Sequence, residues 1–382
     1  MKIVHIADTH LGLSAFNKID PETGMNLRER LIYDNFLAAI DRIVCLRPDV
    51  LVHAGDLFHQ VKPKTRAYTT VLEALRRLDE AGIPFVVIAG NHSMAKTRYT
   101  TSPLEVLEYH TADVHAAYRH RYHRVELGDT VFHLIPNMLQ VSGYRAAFEE
   151  IEPGPGHNVL VTHGLASALK EKRLHTVAEH EIDTTMLSEE FDYIALGHFH
   201  GQSQVADNAW YSGSVEFCTY GEIRDAKGGL LVDLAGGSVE HIDLPRTPMH
   251  DLGRVACDGR TANEILEGIL DLVPEEGIPA RSMCQITLDG VRRDTLRALD
   301  QRRLNEARSR LLDLKFRILA AEESSPILRE RTLVGVDYVL EFERFVENLH
   351  LGQKQEEYVK REGADVLRSV IARHREVDDA SP

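Results

Sequence analysis

Cysteine is scarce in this chain: Cys45, Cys218, Cys257 and Cys284 lie far apart, and no Cys-x-x-Cys pair occurs. Their scatter excludes a disulfide framework and a thiolate zinc knuckle, so the four read as buried, reduced thiols. Long apolar runs are missing too. No stretch approaches the ~20 residues needed to span a membrane, and no leader-like segment precedes the first apolar strand, so a cytoplasmic protein with no membrane association is expected. Positive charge is in short supply. The 44 Lys and Arg against 59 Asp and Glu leave a formal net charge of −15, which argues against a surface that coats nucleic acid wholesale. At 382 residues and 43% hydrophobic content, the chain is too long for one ordinary domain and rich enough for a large core with satellites.

What the chain does have is a short apolar strand running into a metal-type residue, five times in its first 200 residues. Lys2–Ala7 leads to Asp8 and His10, Asp49–Ala54 to Gly55-Asp56, and Pro84–Ala89 to Gly90-Asn91-His92; Asn158–Thr162 leads to His163, and Asp192–Leu196 to Gly197-His198-Phe199-His200. Continuous Val/Ile/Leu runs are the mark of strands buried on both faces, and ligands gather beyond the carboxyl ends of such strands. The five polar ends are therefore expected to converge. Together they bring imidazoles, carboxylates and one amide but no thiolate, a donor mix suited to manganese, iron or zinc. The number of donors is too large for one ion and fits two ions ~3.5–4 Å apart, the clamp used in phosphoester hydrolysis. Asp56 is the natural bridge between them, because a carboxylate offers one oxygen to each ion and Gly55 lets the backbone come close. His5 and His53 sit inside strands and read as residues satisfying buried hydrogen bonds.

The order Asp8-x-His10, Gly55-Asp56, Gly90-Asn91-His92, His163, Gly197-His198-x-His200 resembles the calcineurin-like metallophosphoesterases. Gly55–His59, Thr100–Pro103, Tyr193–His200 and Tyr211–Ser214 look more narrowly like the Mre-eleven/SbcD nucleases of double-strand-break repair. The likeness covers residues 1 to 245 well and the remainder by architecture only. It implies an α/β fold, a two-sheet metallophosphoesterase sandwich flanked by helices, with a small α+β capping domain and a C-terminal helical tail. It also implies two Mn2+ per subunit, with Asp8, His10, Asp56 and His200 on one ion and Asp56, Asn91, His163 and His198 on the other. His92 would be catalytic, protonating the leaving oxygen, a role that suits an imidazole because it titrates near neutral pH. His59 would contact substrate phosphate. One departure stands out: the family's Gly-Asn-His-Asp reads Gly90-Asn91-His92-Ser93 here, which removes a carboxylate able to orient the catalytic ring and leaves that task to another residue, such as a remote carboxylate.

Punctuation suggests a nuclease domain over 1–248, closed by a hairpin around Gly236-Gly237 and bounded by Pro245 and Pro248. A capping domain follows over 249–322, a linker over 323–334 and a helical segment over 335–376. The second region is expected to contain strands 252–257, 281–289 and 312–320 and helices 262–273 and 294–310. Residues 292–317 hold nine Arg or Lys against four acidic residues, a local excess of +5. Arg292, Arg293, Arg297, Arg302 and Arg303 there read either as a solvated helix face with internal ion pairs or as a DNA-contacting wall. The tail has apolar stripes (Val339, Phe342, Val346, Leu349; Val359, Val366, Leu367, Val370, Ile371). These suit either core packing or a groove on another protein. The resemblance makes that partner the Rad-fifty/SbcC coiled-coil ABC ATPase, and makes Tyr68, Leu72, Leu75, Leu104 and Leu107 a homodimer contact. The expected function is a manganese-dependent DNA nuclease, acting as a 3'-5' double-strand exonuclease and single-strand endonuclease, nucleoid-associated when acting on DNA. The alternative is a stand-alone nucleotide or small-molecule phosphodiesterase; a non-catalytic DNA-binding scaffold is a third reading.

Overall fold

The computed structural model describes residues 1–166 except 96, 98 and 99; 181–182, 187, and 190–320 except 274–276 and 280; and 342, 346 and 355–366. It divides into two compact units, Met1–Ala320 and Ala321–Pro382.

All five apolar runs form strands, and they divide between two sheets. The first sheet runs Ser238–Ile242, Gly229–Asp233, Lys2–Ile6, Val50–His53, Phe85–Ile88, Val114–Ala117. The second runs Ser203–Ala206, Ala209–Tyr211, Tyr193–Gly197, His157–His163, Thr130–Ile135, His123–Leu127. The ligand-bearing strands are parallel to their ligand-bearing neighbours within each sheet, so their carboxyl ends share an edge. Val50–His53 and Phe85–Ile88 are buried at every position, as continuous apolar runs require. Ile3, Val52, Val86, Phe132 and Val161 meet between the sheets, forming the interior of a sandwich.

Helices cover both outer faces. Leu27–Leu46 starts at Asn26, whose side chain accepts the Glu29 N–H, and it buries Ile32, Phe36, Ile40 and Ile43 against the first sheet. Thr65–Glu80 lies beside it, and Val141–Glu149 covers the second sheet with Tyr144 and Ala147. Pro103–Tyr109 is a 3₁₀ helix. Of the residues expected at a dimer contact, Leu75, Leu104 and Leu107 are consumed by this chain's own core; Val106 and Tyr109 are the exposed apolar residues of the 3₁₀ helix. Cysteine placement also differs from expectation: Cys257 and Cys284 are buried, Cys218 is half-buried, and Cys45 is exposed near the end of its helix.

A three-stranded parallel sheet follows, Met249–Ala256, Met283–Val291 and Asp313–Ala320, with the helix Ala262–Leu272 closed by a Thr261/Glu264 capping box. The helix expected over 294–310 is broken into Arg293–Arg297 and Gln301–Ser309. The Asp300 carboxylate accepts the N–H groups of Arg302 and Arg303, so it starts a new helix where a continuous one would have left it no such role. In the second unit, residues 355–366 are helical with Val366 exposed. The expected linker and Val339, Leu349, Leu367, Val370 and Ile371 lie outside the described residues. Among the described residues, no helix is long and apolar enough to cross a membrane.

Candidate metal centre

The five strand ends do meet. Asp8 and His10 follow Lys2–Ile6, Asp56 follows Val50–His53, Asn91 and His92 follow Phe85–Ile88, His163 ends its strand, and His198 and His200 follow Tyr193–Gly197. Asp8, His10, Asp56 and His163 are almost wholly buried.

Tight backbone turns bring them together. Among the described residues, seven non-glycine residues have positive φ, and four of them are Asp8 (52°), His10 (46°), Asp56 (55°) and His198 (98°). A left-handed backbone costs an ordinary L-residue ~1–3 kcal/mol and tends to collect at functional sites. Gly55 has φ 102°, and a Cβ there would overlap the His163 ring; one on Gly90 would overlap the Asp56 carboxylate. These glycines let the ligand-bearing loops touch.

The side chains form two groups, and the Asp56 carboxylate touches one through His163 and the other through the His92 backbone. In one, His10 Nε2 lies 3.1 Å from His200 Nε2, and the His10 ring contacts those of His59 and His92. In the other, Asn91 Oδ1 lies 3.0 Å from His163 Nε2 and 3.1 Å from His198 Nδ1. Asp56 Oδ2 stands 3.4 Å from His163 Nε2, while its Oδ1 accepts the His92 N–H at 2.9 Å. Donor atoms of Asp8, Asp56 and His163 lie within 4.8 Å of one another, as do those of His10, His59 and His92, and of His10, His200 and Cys218.

Hydrogen bonding on the far side of these rings fits a divalent cation. His163 Nδ1 is 2.9 Å from the Ala54 carbonyl, so it donates there and its Nε2 faces the oxygens of Asn91 and Asp56. Those oxygens call for positive charge among them, which a divalent cation beside a neutral ring would supply in place of the ring's own proton. His200 repeats the pattern with Nδ1 on Glu222 Oε1 at 3.0 Å and Nε2 turned inward. Fixing one ring nitrogen on a carbonyl or carboxylate so that the other can ligate is the usual arrangement at metal sites. Burial holds the His10 ring well below its usual pKa and raises the Asp8 carboxyl. Burial also works against the charged forms of Asp56 and His163, but their mutual attraction prevails, lowering Asp56 and raising His163.

His92 and His59 stand beside this cluster with stacked rings 5.1 Å apart. His92 Nδ1 donates to the His59 carbonyl at 3.0 Å, so the group that orients it is a backbone oxygen, not the remote carboxylate that the sequence invited. Ser93 is fully buried with its Oγ accepting the Gly90 N–H, away from any role on the ring. His5 and His53 are structural, bonded to Tyr193 and Thr9, and burial pushes both down to a pKa of about 3. The five arginines lie outside the cluster. All are exposed, with Arg292 paired to Asp294 and Arg303 to Glu267.

Sequence reasoning missed Glu222 and Lys227. Lys227 is buried and donates to Glu222 Oε2 (2.7 Å), Ser214 Oγ (2.8 Å) and the His200 carbonyl (2.9 Å). Glu222 also closes a capping box with Thr219, and the spacing Thr219-x-x-Glu222 was a legible signal.

A sandwich of two largely parallel sheets with imidazoles, carboxylates and an amide converging at one edge is the fold and donor set of the metallophosphoesterase class. The sequence profile of the calcineurin-like phosphoesterases matches residues 1–202, more than half of the chain, and the chain belongs to that family. It is similar to the DNA double-strand break repair protein Mre11 of Methanococcus maripaludis, 28% identical over 265 residues that cover 64% of this chain and 67% of that protein. The protein of the same name from Methanocaldococcus jannaschii is 29% identical over 255 residues, covering 64% and 66%. That from Methanopyrus kandleri is 31% identical over 265 residues, covering 63% and 56%. The likeness therefore spans about two-thirds or less of the length of these relatives.

Proposed function

We infer that this chain is the nuclease subunit of a DNA double-strand-break repair complex, hydrolysing phosphodiester bonds at a centre for two Mn2+ ions. The observation that carries this reading is the meeting of seven side chains from five strand ends, with Asp56 between two donor groups, in a phosphoesterase family. Asp8, His10, Asp56 and His200 would hold one ion, and Asp56, Asn91, His163 and His198 the other. When bound, the ions supply charge neutralisation for the phosphate and a nucleophile available at neutral pH.

The chain's own residues do the rest. With Nδ1–H fixed on the His59 carbonyl, His92 presents Nε2 as the proton donor to the leaving oxygen. The His59 ring, stacked on it, would bear on the substrate phosphate. The names of the relatives, DNA double-strand break repair proteins, support DNA as substrate; 3'-5' exonuclease action on duplexes and endonuclease action on single strands are part of the proposal. The exposed arginines on the short helices between the second and third strands of the small sheet suit a DNA-contacting cap over 249–322. Val106 and Tyr109 suit a homodimer contact, and the tail beyond the linker over 323–334, with helices over 335–376, suits a Rad-fifty/SbcC-type ATPase.

Turnover of a small diester compared with plasmid and hairpin DNA in manganese tests the assignment. DNA cleavage at a rate far above that of the small diester is expected. The reverse order would make the chain a stand-alone phosphodiesterase, and no turnover of either would make it a scaffold.

A further inference from the structure

Glu222 and Tyr220 belong to one short turn, and they point to different partners. On one side Glu222 holds the Nδ1 of His200, while its remaining contacts are Lys227 Nζ, the backbone N–H groups of Cys218 and Thr219, and the Thr219 hydroxyl. On the other side the Tyr220 hydroxyl donates to Asp313 Oδ2 at 2.8 Å, at the start of the third strand of the small sheet. Lys315, two residues along that strand, places Nζ 5.0 Å from the centre of the Tyr220 ring. Phe217, Tyr220, Met283 and Leu312 form a buried apolar seam at the same junction, with Phe16, Leu27, Leu31 and Met249 packed on it. Lys18 adds a clasp by donating to the carbonyls of Arg308 and Leu311 at the end of Gln301–Ser309.

We propose that the turn Thr219–Glu222 couples the seating of the three-stranded sheet to the orientation of the metal ligand His200, with Glu222 and Tyr220 as positioning residues. The turn is too short to absorb a displacement. A capping box ties its two ends, and the buried Lys227 ammonium fixes the Glu222 carboxylate from behind. Moving Asp313 relative to Tyr220 therefore rotates or strains the group that sets His200 Nε2. Coupling of this kind is reciprocal, so an ion held by His200 tightens the seat of the sheet as the seat tightens the ion.

The inference rests on the metal-centre reading, and manganese binding separates the two. In the full chain, an electron paramagnetic resonance titration should count two bound Mn2+. Glu222→Gln should weaken one of them by roughly 10–100-fold, the range for losing a partner behind a ligating histidine. Tyr220→Phe should weaken the same ion by a smaller factor, about 3–10-fold, because only part of the worth of its hydrogen bond reaches His200 through the turn, and leave the other unchanged. Asp313→Ala should behave like Tyr220→Phe, and Asp313→Asn, which keeps an acceptor, should restore most of the affinity. Manganese should slow amide exchange in Asp313–Ala320 in the parent chain but not in Tyr220→Phe. Arg254→Ala, which breaks an exposed pair with Asp289 in the same sheet, should keep that slowing. Parent-like manganese binding and exchange in Tyr220→Phe and Asp313→Ala would overturn the coupling, leaving a seam that only stabilises the fold. A parent chain that binds no manganese would overturn the metal-centre reading and the coupling with it.

Discussion

Asp56 concentrates the chemistry of this protein in one side chain. One oxygen accepts the His92 backbone N–H, and the other faces His163, so the carboxylate links the proposed proton donor to the donor group around His163. Asp56→Asn is expected to lose at least one ion and nearly all hydrolysis while the fold remains, because an amide cannot offer a negative oxygen to each of two cations. Metal content by mass spectrometry alongside turnover checks this; parent stoichiometry with parent turnover would refute the bridge. His92→Ala is expected to slow cleavage by ~10²–10⁴ with both ions retained, the loss typical of a missing general acid. If the rate fell only in proportion to metal lost, His92 would be a ligand instead.

At the scale of elements, the helix Leu27–Leu46 both closes the sandwich and steadies the loop beyond the last ligand. Arg28, buried in its first turn, donates to Glu216 at 2.9 Å and to the Phe217 carbonyl at 2.8 Å, and Glu216 also accepts from Asn35 and the Thr247 N–H. The loop it grips leads directly into the Thr219–Glu222 turn. Removing one member of a buried ion pair leaves the other's charge uncompensated, so Arg28→Ala is expected to cost ~3–5 kcal/mol. A chemical denaturation curve measures it. A change below about 1 kcal/mol would mean that water replaces the guanidinium, and surface pairs such as Arg254–Asp289 set that lower scale.

On the scale of the whole molecule, Met1–Ala320 forms one compact unit that contains every residue of the metal centre. A fragment of residues 1–320 is expected to fold, bind manganese and hydrolyse small diesters at the full-length rate, yet fail to co-purify with the coiled-coil ATPase. Retained co-purification would place that contact elsewhere. Metal should also stabilise this unit by linkage. Manganese at a hundred times its dissociation constant adds ~2.7 kcal/mol, so calorimetry should show a midpoint that rises with manganese and falls with a chelator. A midpoint indifferent to both would remove the two-ion centre from consideration.

Strands and the polar residues at their ends were legible from the sequence because both are local: a Val/Ile run buried on two faces and a polar residue at its end occupy fewer than ten residues. Gly55 and Gly90 could be read in the same way, since close approach at a loop calls for glycine whatever lies opposite. The two helices in place of one over 294–310 were decided by a single carboxylate, Asp300, choosing backbone partners. Long-range placement settled what remained. Leu75, Leu104 and Leu107 looked like an interface until the sheet they cover was in place. The carbonyl that orients His92 belongs to His59, 33 residues away, and nothing in a backbone oxygen distinguishes it in sequence. Glu222 and Lys227 acquire their meaning only beside His200, since an acidic or basic residue is ordinarily solvated unless the fold buries it against a partner. The sequence by itself thus determined the donors and the strands that deliver them. The tertiary structure decided which partners hold them in aim, because hydrogen bonding and burial depend on neighbours that the chain brings together only on folding.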